Sequence, residues 1–250
     1  MEDPADLVRF YDEAYSQEPA DAALYARWRA LGAIGKADHV IGLCARGGVR
    51  PQSTLEVGCG DGALLSELSR RGFGGRLSGV EITEAAVQIA SARTEISEVR
   101  LYDGLHLEAP DADYDLGILS HVLEHVPDPP ALLREVGRAC GAVVMEVPLE
   151  ANRSARRAGK RVHAAEVGHL QRLDRDGARA IVADAGLRIA AELEDPLPLE
   201  VHRFFAQGPR GQTTGSVKWA IRSGLHRFAP GLARRAFTLH YACLCLPRGG

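Results

Sequence analysis

The sequence predicts an α/β fold in which a mostly parallel sheet is flanked by helices. Three observations carry that expectation. Short apolar runs alternate with segments of helical spacing through the middle of the chain, the pattern of repeated strand–helix units. A glycine-rich turn, Gly58-Cys59-Gly60-Asp61-Gly62, joins the first such run to the first helical segment. Successive runs end on polar residues, Glu81, Asp103 and Ser120, which lines one edge of the sheet with ligand-binding groups. At 250 residues and 46% hydrophobic content, the chain is long enough to bury one large core.

Ser53-Thr54 lead into Leu55-Glu56-Val57, a short buried strand. Glycines at 58, 60 and 62 then let the backbone turn sharply and approach a ligand where side chains would obstruct it. From Ala63 to Arg71 the spacing is helical, with Leu64, Leu65 and Leu68 on one side. The second strand runs from about Arg76 to Glu81, and Thr83 is the N-cap of the helix after it. A third short strand near Val99 and Leu101 ends at Asp103-Gly104. The fourth, Tyr114 to Ser120, leads directly into His121-Val122-Leu123-Glu124-His125-Val126-Pro127-Asp128-Pro129. Asp128 starts the next helix, with prolines where no backbone donor is missed and Leu132, Leu133 and Val136 as its buried stripe. Ala142 to Val147 is the fifth strand. Asp174 caps a helix from Ala178 to Ala185 that Gly186 stops. Leu187 to Leu193 and Phe237 to Leu246 are the sixth and seventh strands.

Two regions are added to this core. Residues 1–48 form a helical segment in which Leu7, Phe10, Tyr11, Ala14 and Tyr15 keep helical spacing; a longer helix follows through Leu24, Trp28, Leu31, Val40 and Leu43. The main domain is expected over 49–250, with a helical insertion at about 197–236 before the last strand. Within that insertion, Val217, Ile221, Leu225, Phe228 and Leu232 predict the packed face of a basic amphipathic helix. Lys218 and Arg222 lie on another face, and Pro230-Gly231 breaks the helix.

The order Glu56-Val57-Gly58-Cys59-Gly60-Asp61-Gly62, then Gly79-Val80-Glu81, then Asp103-Gly104, then Tyr114 through Pro129 resembles the class I S-adenosylmethionine-dependent methyltransferases. The similarity covers about residues 50–195 and is greatest to the small-molecule group whose fourth strand precedes an HVLEHVPDP-type run. It implies a Rossmann-like sheet of seven strands with the last one antiparallel. It also implies an S-adenosyl-L-methionine pocket over the carboxyl ends of the first four strands. By the same resemblance Glu56, Gly58 and Gly60 hold the methionine part, with Cys59 contributing backbone rather than sulfur. Glu81 holds the ribose, Ile82 covers one adenine face, and Asp103 and Gly104 meet the adenine edge. Ser120 and His121 lie beside the sulfonium and amino acid. The N-terminal segment crosses the cofactor as a lid, with Tyr11 or Tyr15 bonding its carboxylate; packing onto the sheet is the alternative role of these aromatics. Leu105 departs from the residue many relatives carry after the acid–glycine pair.

The expected activity is methyl transfer to a small-molecule acceptor by O- or N-methylation, for instance to an anionic metabolite, a sugar or a natural-product intermediate. A hydroxyl acceptor needs a base, and histidine suits neutral pH. His169, in Gly168-His169-Leu170-Gln171, is the first choice as base or substrate binder; His121 follows, as base or in ordering the cofactor. His125 is expected to pack or cap locally, and Glu124 to anchor the loop. Glu146, at the end of the fifth strand, opens onto the substrate. Beyond it Arg153 and Arg156, clustered with Arg157, Lys160, Arg161 and His163, either fork onto an anionic group or face water.

Two other classes fit parts of the pattern. Gly58, Gly60, Ala63 and Glu81 satisfy a dinucleotide fingerprint, as in an NAD-dependent oxidoreductase. A non-catalytic S-adenosylmethionine-binding protein would share the cofactor motifs. His121-x-x-Glu124-His125 also matches the H-x-x-E-H pattern of some zinc peptidases, but Pro127 cuts the helix short, and no metal is expected.

A formal net charge of −3 argues against a nucleic-acid substrate. No acid follows Glu200, so the last fifth of the chain is basic; a solvated helix face is favoured there over contact with a membrane surface. The five cysteines are odd in number and contain no C-x-x-C, which with no signal peptide before Asp3 suggests reduced thiols and a cytoplasmic setting.

Overall fold

The computed structural model describes residues 19–157, 159 and 168–248. Helix α1 (Pro19–Gly47) leads to β1 (Ser53–Val57), α2 (Ala63–Arg70), β2 (Arg76–Glu81), α3 (Glu84–Ser91), β3 (Glu98–Leu101) and β4 (Tyr114–Ser120). After a single 3-10 turn (Leu123–His125) come α4 (Pro129–Ala139), β5 (Cys140–Pro148), α5 (Arg175–Asp184) and β6 (Leu187–Asp195). Helices α6 (Leu199–Arg203), α7 (Gly208–Phe228) and α8 (Pro230–Ala236) then precede β7 (His240–Pro247).

The strands form one seven-stranded sheet in the order β3-β2-β1-β4-β5-β7-β6. The first five run parallel, and β7 is antiparallel to both β5 and β6. Neighbouring β1 and β4 lie either side of the point where the strand order reverses, the usual place for a ligand crevice. The register aligns the strand ends: Glu81 lies beside Leu101, Ser120 beside Glu146, and His240 beside both Pro148 and Asp195. All these ends therefore share one rim.

Both faces of the sheet are covered, as a parallel sheet requires. On one face Val57, Leu119, Met145 and Tyr241 pack with Leu132, Leu133 and Val136 of α4 and Ile181 and Val182 of α5. On the other, Leu116, Ile118, Val144 and Leu244 meet Leu64, Leu65 and Leu68 of α2 and Ala37, Val40, Leu43 and Cys44 of α1. The second half of α1 thus belongs to the core. Side-chain caps set the helix starts that the sequence signals. Thr83 accepts from the N–H of Ala86, Asp128 from that of Ala131, and Asp174 from that of Gly177.

The insertion differs from its sequence pattern. The chain does break at Pro230, but Val217, Ile221, Phe228 and Leu232 are 52%, 57%, 82% and 55% exposed, so the apolar stripe does not face the domain. Arg222 turns inward instead, donating to the carbonyl of Thr238 and lying over the Phe237 ring. The helix approaches its neighbour through Gly215, where a Cβ would come within 2.8 Å of the His202 carbonyl oxygen. Helical periodicity identifies a face; a close backbone approach decided which face lies inward. The insertion meets α1 through Trp28, whose ring centroid is 5.1 Å from that of Phe204 and 5.0 Å from that of Phe205. No helix among the described residues is long and apolar enough to cross a membrane.

Candidate functional site

The β1–α2 turn is shaped by its glycines. Gly58, Gly60 and Gly62 have φ of 73°, 55° and 74°, the left-handed region that glycine enters without strain. A Cβ on Gly58 would meet Val122 Cγ2 at 2.6 Å, so the turn and the residues after β4 approach too closely for any side chain. The N–H groups of Gly58 and Cys59 donate to the Val80 carbonyl and hold the turn against β2. Cys59 is buried below it, and burial pushes its thiol well up, as expected for a packing group rather than a reactive one. Asp61 caps the N–H of Ala63 and pairs with Arg29 of α1 at 2.8 Å, so the long helix is tied to the glycine turn.

Three acids border this turn. Glu81 is buried and accepts from the N–H of Gly60 at 2.8 Å and of Ile82 at 2.6 Å; burial raises its carboxyl, while these N–H groups oppose the rise. Glu56 is fully enclosed and lifted to about 8, by burial first and then by Asp61 and Glu81, with the Lys36 ammonium pulling the other way. Among the described residues its Oε2 has no partner, and neither does Ser120 Oγ at the end of β4. Asp103 is exposed: its carboxylate accepts from the N–H of Leu105 and His106 and from the His106 ring, contacts that hold it at about 2. A Cβ on Gly104 would lie 3.6 Å from Ile82 Cγ2, so Ile82 and Gly104 border one space. A cavity of about 120 Å³ lies under this loop, lined by Leu55, Val80, Tyr102, Asp103 and Leu107 among others.

Beyond the glycine turn, the rim carries a polar network that is largely buried. Glu146 accepts through Oε2 from His39 Nδ1 at 2.9 Å, and its Oε1 lies 3.3 Å from His121 Nε2 and 3.0 Å from His240 Nδ1. The two imidazole nitrogens are 3.1 Å apart, and His121 Nδ1 reaches Glu124 Oε1 at 3.1 Å. His39 Nε2 meets Asp195 at the end of β6, 3.3 Å away. Burial opposes the charge on Glu146, yet the three histidines hold its carboxyl well below the ordinary range. Burial likewise disfavours charge on His39, but Asp195 and Glu146 outweigh it and raise the imidazole to about 10. His121 has a φ of 61°, a strained value for a residue other than glycine. Both of its ring nitrogens are engaged.

A second histidine corner lies on the other side of His121. The residues after β4 form a 3-10 turn rather than an α-helix, so His121 and His125 do not share a helix face as in the zinc-peptidase pattern, although both approach Glu124 Oε1, at 3.1 and 4.0 Å. His125 Nδ1 donates to the carbonyl of Gly168 at 3.2 Å, and its ring stands edge-on to that of His169, 4.8 Å between centroids. His169 Nδ1 lies 2.8 Å from Glu150 Oε2. The backbone carbonyl of Glu124 accepts from Leu170 and Gln171, which anchors the His169 segment to the end of β4.

The structure thus brings Glu56, Gly58, Cys59, Gly60, Glu81 and Ser120 together at the ends of β1, β2 and β4, with His121, Glu146 and His169 adjoining. Arg153 and Arg156 are exposed after β5, and the backbone N–H of Arg153 donates to the Arg235 carbonyl. Tyr11, Tyr15, Lys160, Arg161 and His163 lie outside the described residues. Sequence reasoning missed His39, His240, Asp195 and Glu150. Asp195 carries the signal that identified Glu81, an acid closing a strand. His39, three residues after Lys36 on α1, had none.

A family model described as "Methyltransferase domain" matches residues 25–192, from within α1 to within β6. The chain belongs to this family. It is a class I S-adenosylmethionine-dependent methyltransferase, and S-adenosylmethionine is its cofactor. The cradle fits that group: a turn with three left-handed glycines, a buried acid ending β2, and polar atoms on Glu56 and Ser120 with no partner among the described residues. Among similar proteins, a ubiquinone biosynthesis O-methyltransferase of Albidiferax ferrireducens is 30% identical over 150 residues, 57% of this chain and 54% of the relative. Another, of Hydrogenovibrio crunogenus, is 28% identical over 96 residues, 36% of this chain and 39% of the relative. The chain therefore spans between about two fifths and just over half of the length of these relatives. A geranyl diphosphate methyltransferase solved with GPP and sinefungin superposes with a TM-score of 0.65 at 15% identity, covering 98% of this chain and 99% of that one. The geranyl diphosphate C-methyltransferase of Streptomyces coelicolor A3(2) gives 0.62 at 14% identity over 86% and 76% of the two chains. At such identities the likeness speaks for the fold alone.

Proposed function

We propose that this methyltransferase acts on a hydroxyl oxygen of a small-molecule acceptor, and that His169 takes the acceptor's proton. The observation that carries the reading is the Glu150–His169 contact at 2.8 Å. A carboxylate only accepts, so in the neutral imidazole Nδ1 carries the proton and Nε2 the lone pair, the arrangement of an oriented general base. The O-methyltransferase names of the relatives, the small substrates of the structural neighbours and the negative net charge support a small acceptor over a nucleic acid.

In this reading Glu81 accepts from the ribose hydroxyls, Asp103 and Gly104 meet the adenine edge, and the glycine turn with Glu56 holds the methionine part. The cofactor supplies an electrophilic methyl on a positively charged sulfur. Positioning the acceptor in line with that methyl provides most of the remaining rate. The face of α1 that carries Lys36 and His39 closes the rim, in keeping with a lid.

Labelled S-adenosylmethionine screened against phenols, catechols and hydroxy acids provides the test. With any acceptor so found, His169→Ala is expected to lower kcat by about 10²–10⁴-fold while leaving cofactor affinity unchanged. Full turnover by His169→Ala removes the base; transfer only to amine or carbon acceptors removes the hydroxyl.

A further inference from the structure

We propose that His121, His240 and Glu146 form a binding site for a first-row divalent transition-metal ion. The three donor atoms, His121 Nε2, His240 Nδ1 and Glu146 Oε1, make a closed triangle with edges of 3.1, 3.0 and 3.3 Å. Protons do not satisfy such a triangle. If both imidazole nitrogens carry hydrogen and donate to the carboxylate, two N–H groups confront each other along the third edge. If one imidazole donates to the other, the accepting nitrogen turns a lone pair toward the carboxylate. At most two of the three edges are hydrogen bonds in any protonation state. One cation facing all three lone pairs resolves the conflict. Donors bound at about 2.0–2.2 Å are separated from each other by about 2.8–3.1 Å in octahedral order and about 3.3–3.6 Å in tetrahedral order, a range that brackets the edges found.

Three further features fit a site built for an ion. The outer partners of the donors are in place. His121 presents its other nitrogen to Glu124 at 3.1 Å, and Glu146 has its second oxygen held by His39 at 2.9 Å, so two of the three donors are oriented from behind. His121 is held at a φ of 61° with its N–H on the Glu146 carbonyl; this strained backbone places its ring against Glu146 and His240. The site is also reachable, since the His121 and His240 side chains remain 23% and 16% exposed while Glu146 is 3% exposed. Two imidazoles and one carboxylate select zinc, iron, cobalt or nickel over magnesium or calcium, which prefer oxygen donors. Three protein ligands leave a coordination position for solvent or for an acceptor oxygen. That last role alone rests on the hydroxyl-acceptor reading above. Binding displaces whatever protons the two nitrogens and the carboxylate carry and involves no redox change.

The test is titration of Zn²⁺, and separately Co²⁺, into untagged full-length protein freed of metal with a chelator, with S-adenosylmethionine binding measured on the same samples. One ion per chain is expected, with a visible Co²⁺ band. Affinity is expected to fall by about 100-fold or more in His240→Ala and in Glu146→Gln, and to stay unchanged in His169→Ala. His240→Phe keeps a ring in place without a donor and serves if truncation unfolds the chain. Absence of Zn²⁺ binding by wild type overturns the proposal, as does affinity unaffected by loss of the His240 imidazole. Loss in His169→Ala alone also overturns it and moves the ion to Glu124, His125 and His169, a second cluster of donors among the described residues. Retained S-adenosylmethionine binding in a protein that takes no metal leaves the methyltransferase reading standing.

Discussion

Gly58→Val is expected to weaken S-adenosylmethionine binding by about 100-fold while the chain stays folded. At φ 73° a β-branched residue is a steric outlier, and its Cβ is directed onto Val122 Cγ2 at 2.6 Å. Relief requires the turn to leave the Val80 carbonyl or Val122 to retreat, and either movement deforms the cradle under the methionine part. A distortion of about 3 kcal/mol corresponds to about 100-fold in affinity. Gly72→Val is the matched control. Gly72 has a φ of 65°, but none of the described residues lies within 4 Å of its Cβ position and it follows the end of α2, away from the turn. Both variants are expected to lose stability in urea unfolding, and only Gly58→Val to lose cofactor affinity in calorimetry. Equal affinity in the two variants would contradict the assignment of this turn.

The second large effect is on stability. Glu146→Ala removes the common acceptor of His39, His121 and His240 from a site where the carboxylate is 3% exposed. Three polar side chains from α1, the end of β4 and the start of β7 are then left facing a void. His39 retains Asp195, while the close approach of His121 and His240 loses its counter-charge. Breaking one partner out of a buried charged group costs about 3–5 kcal/mol, a large fraction of a domain's stability. Urea unfolding in the presence of a chelator measures it free of metal effects. A loss below about 1 kcal/mol would show that the three histidines are hydrated or independently satisfied.

What the chain discloses before folding follows the distance over which each feature is determined. The glycine turn, the caps at Thr83, Asp128 and Asp174 and the break at Pro230 depend on neighbours within one helical turn, and all are legible. Strand ends were legible too, because a polar residue closing an apolar run marks the rim at Glu81 and Ser120. The histidine network was not. His39 and Glu146 are 107 residues apart, and His121 and His240 are 119 apart, so only the packing of α1 and the order of the sheet bring them together. Asp195 escaped notice because β6 runs two residues beyond its apolar pattern. The face of α7 was misjudged for a related reason: spacing predicts a stripe, whereas the approach of Gly215 to the His202 carbonyl selects the inward side.

The His121–Glu124–His125 run illustrates how one motif divides in three dimensions. As letters it is a single pattern. In the fold its two histidines serve different corners, one against Glu146 and His240, the other against Gly168 and His169. The 3-10 turn and the strained backbone of His121 produce that division.

The central claim is that adenosine is held across the ends of β1 and β2 with Glu81 as its ribose acceptor. Titration calorimetry of S-adenosylmethionine into wild type and Glu81→Ala tests it most directly, with NAD as the comparison ligand. One site per chain is expected in wild type, with affinity reduced at least about tenfold in Glu81→Ala and no heat from NAD. Equal affinity in the two proteins, or binding of NAD in place of S-adenosylmethionine, would contradict it.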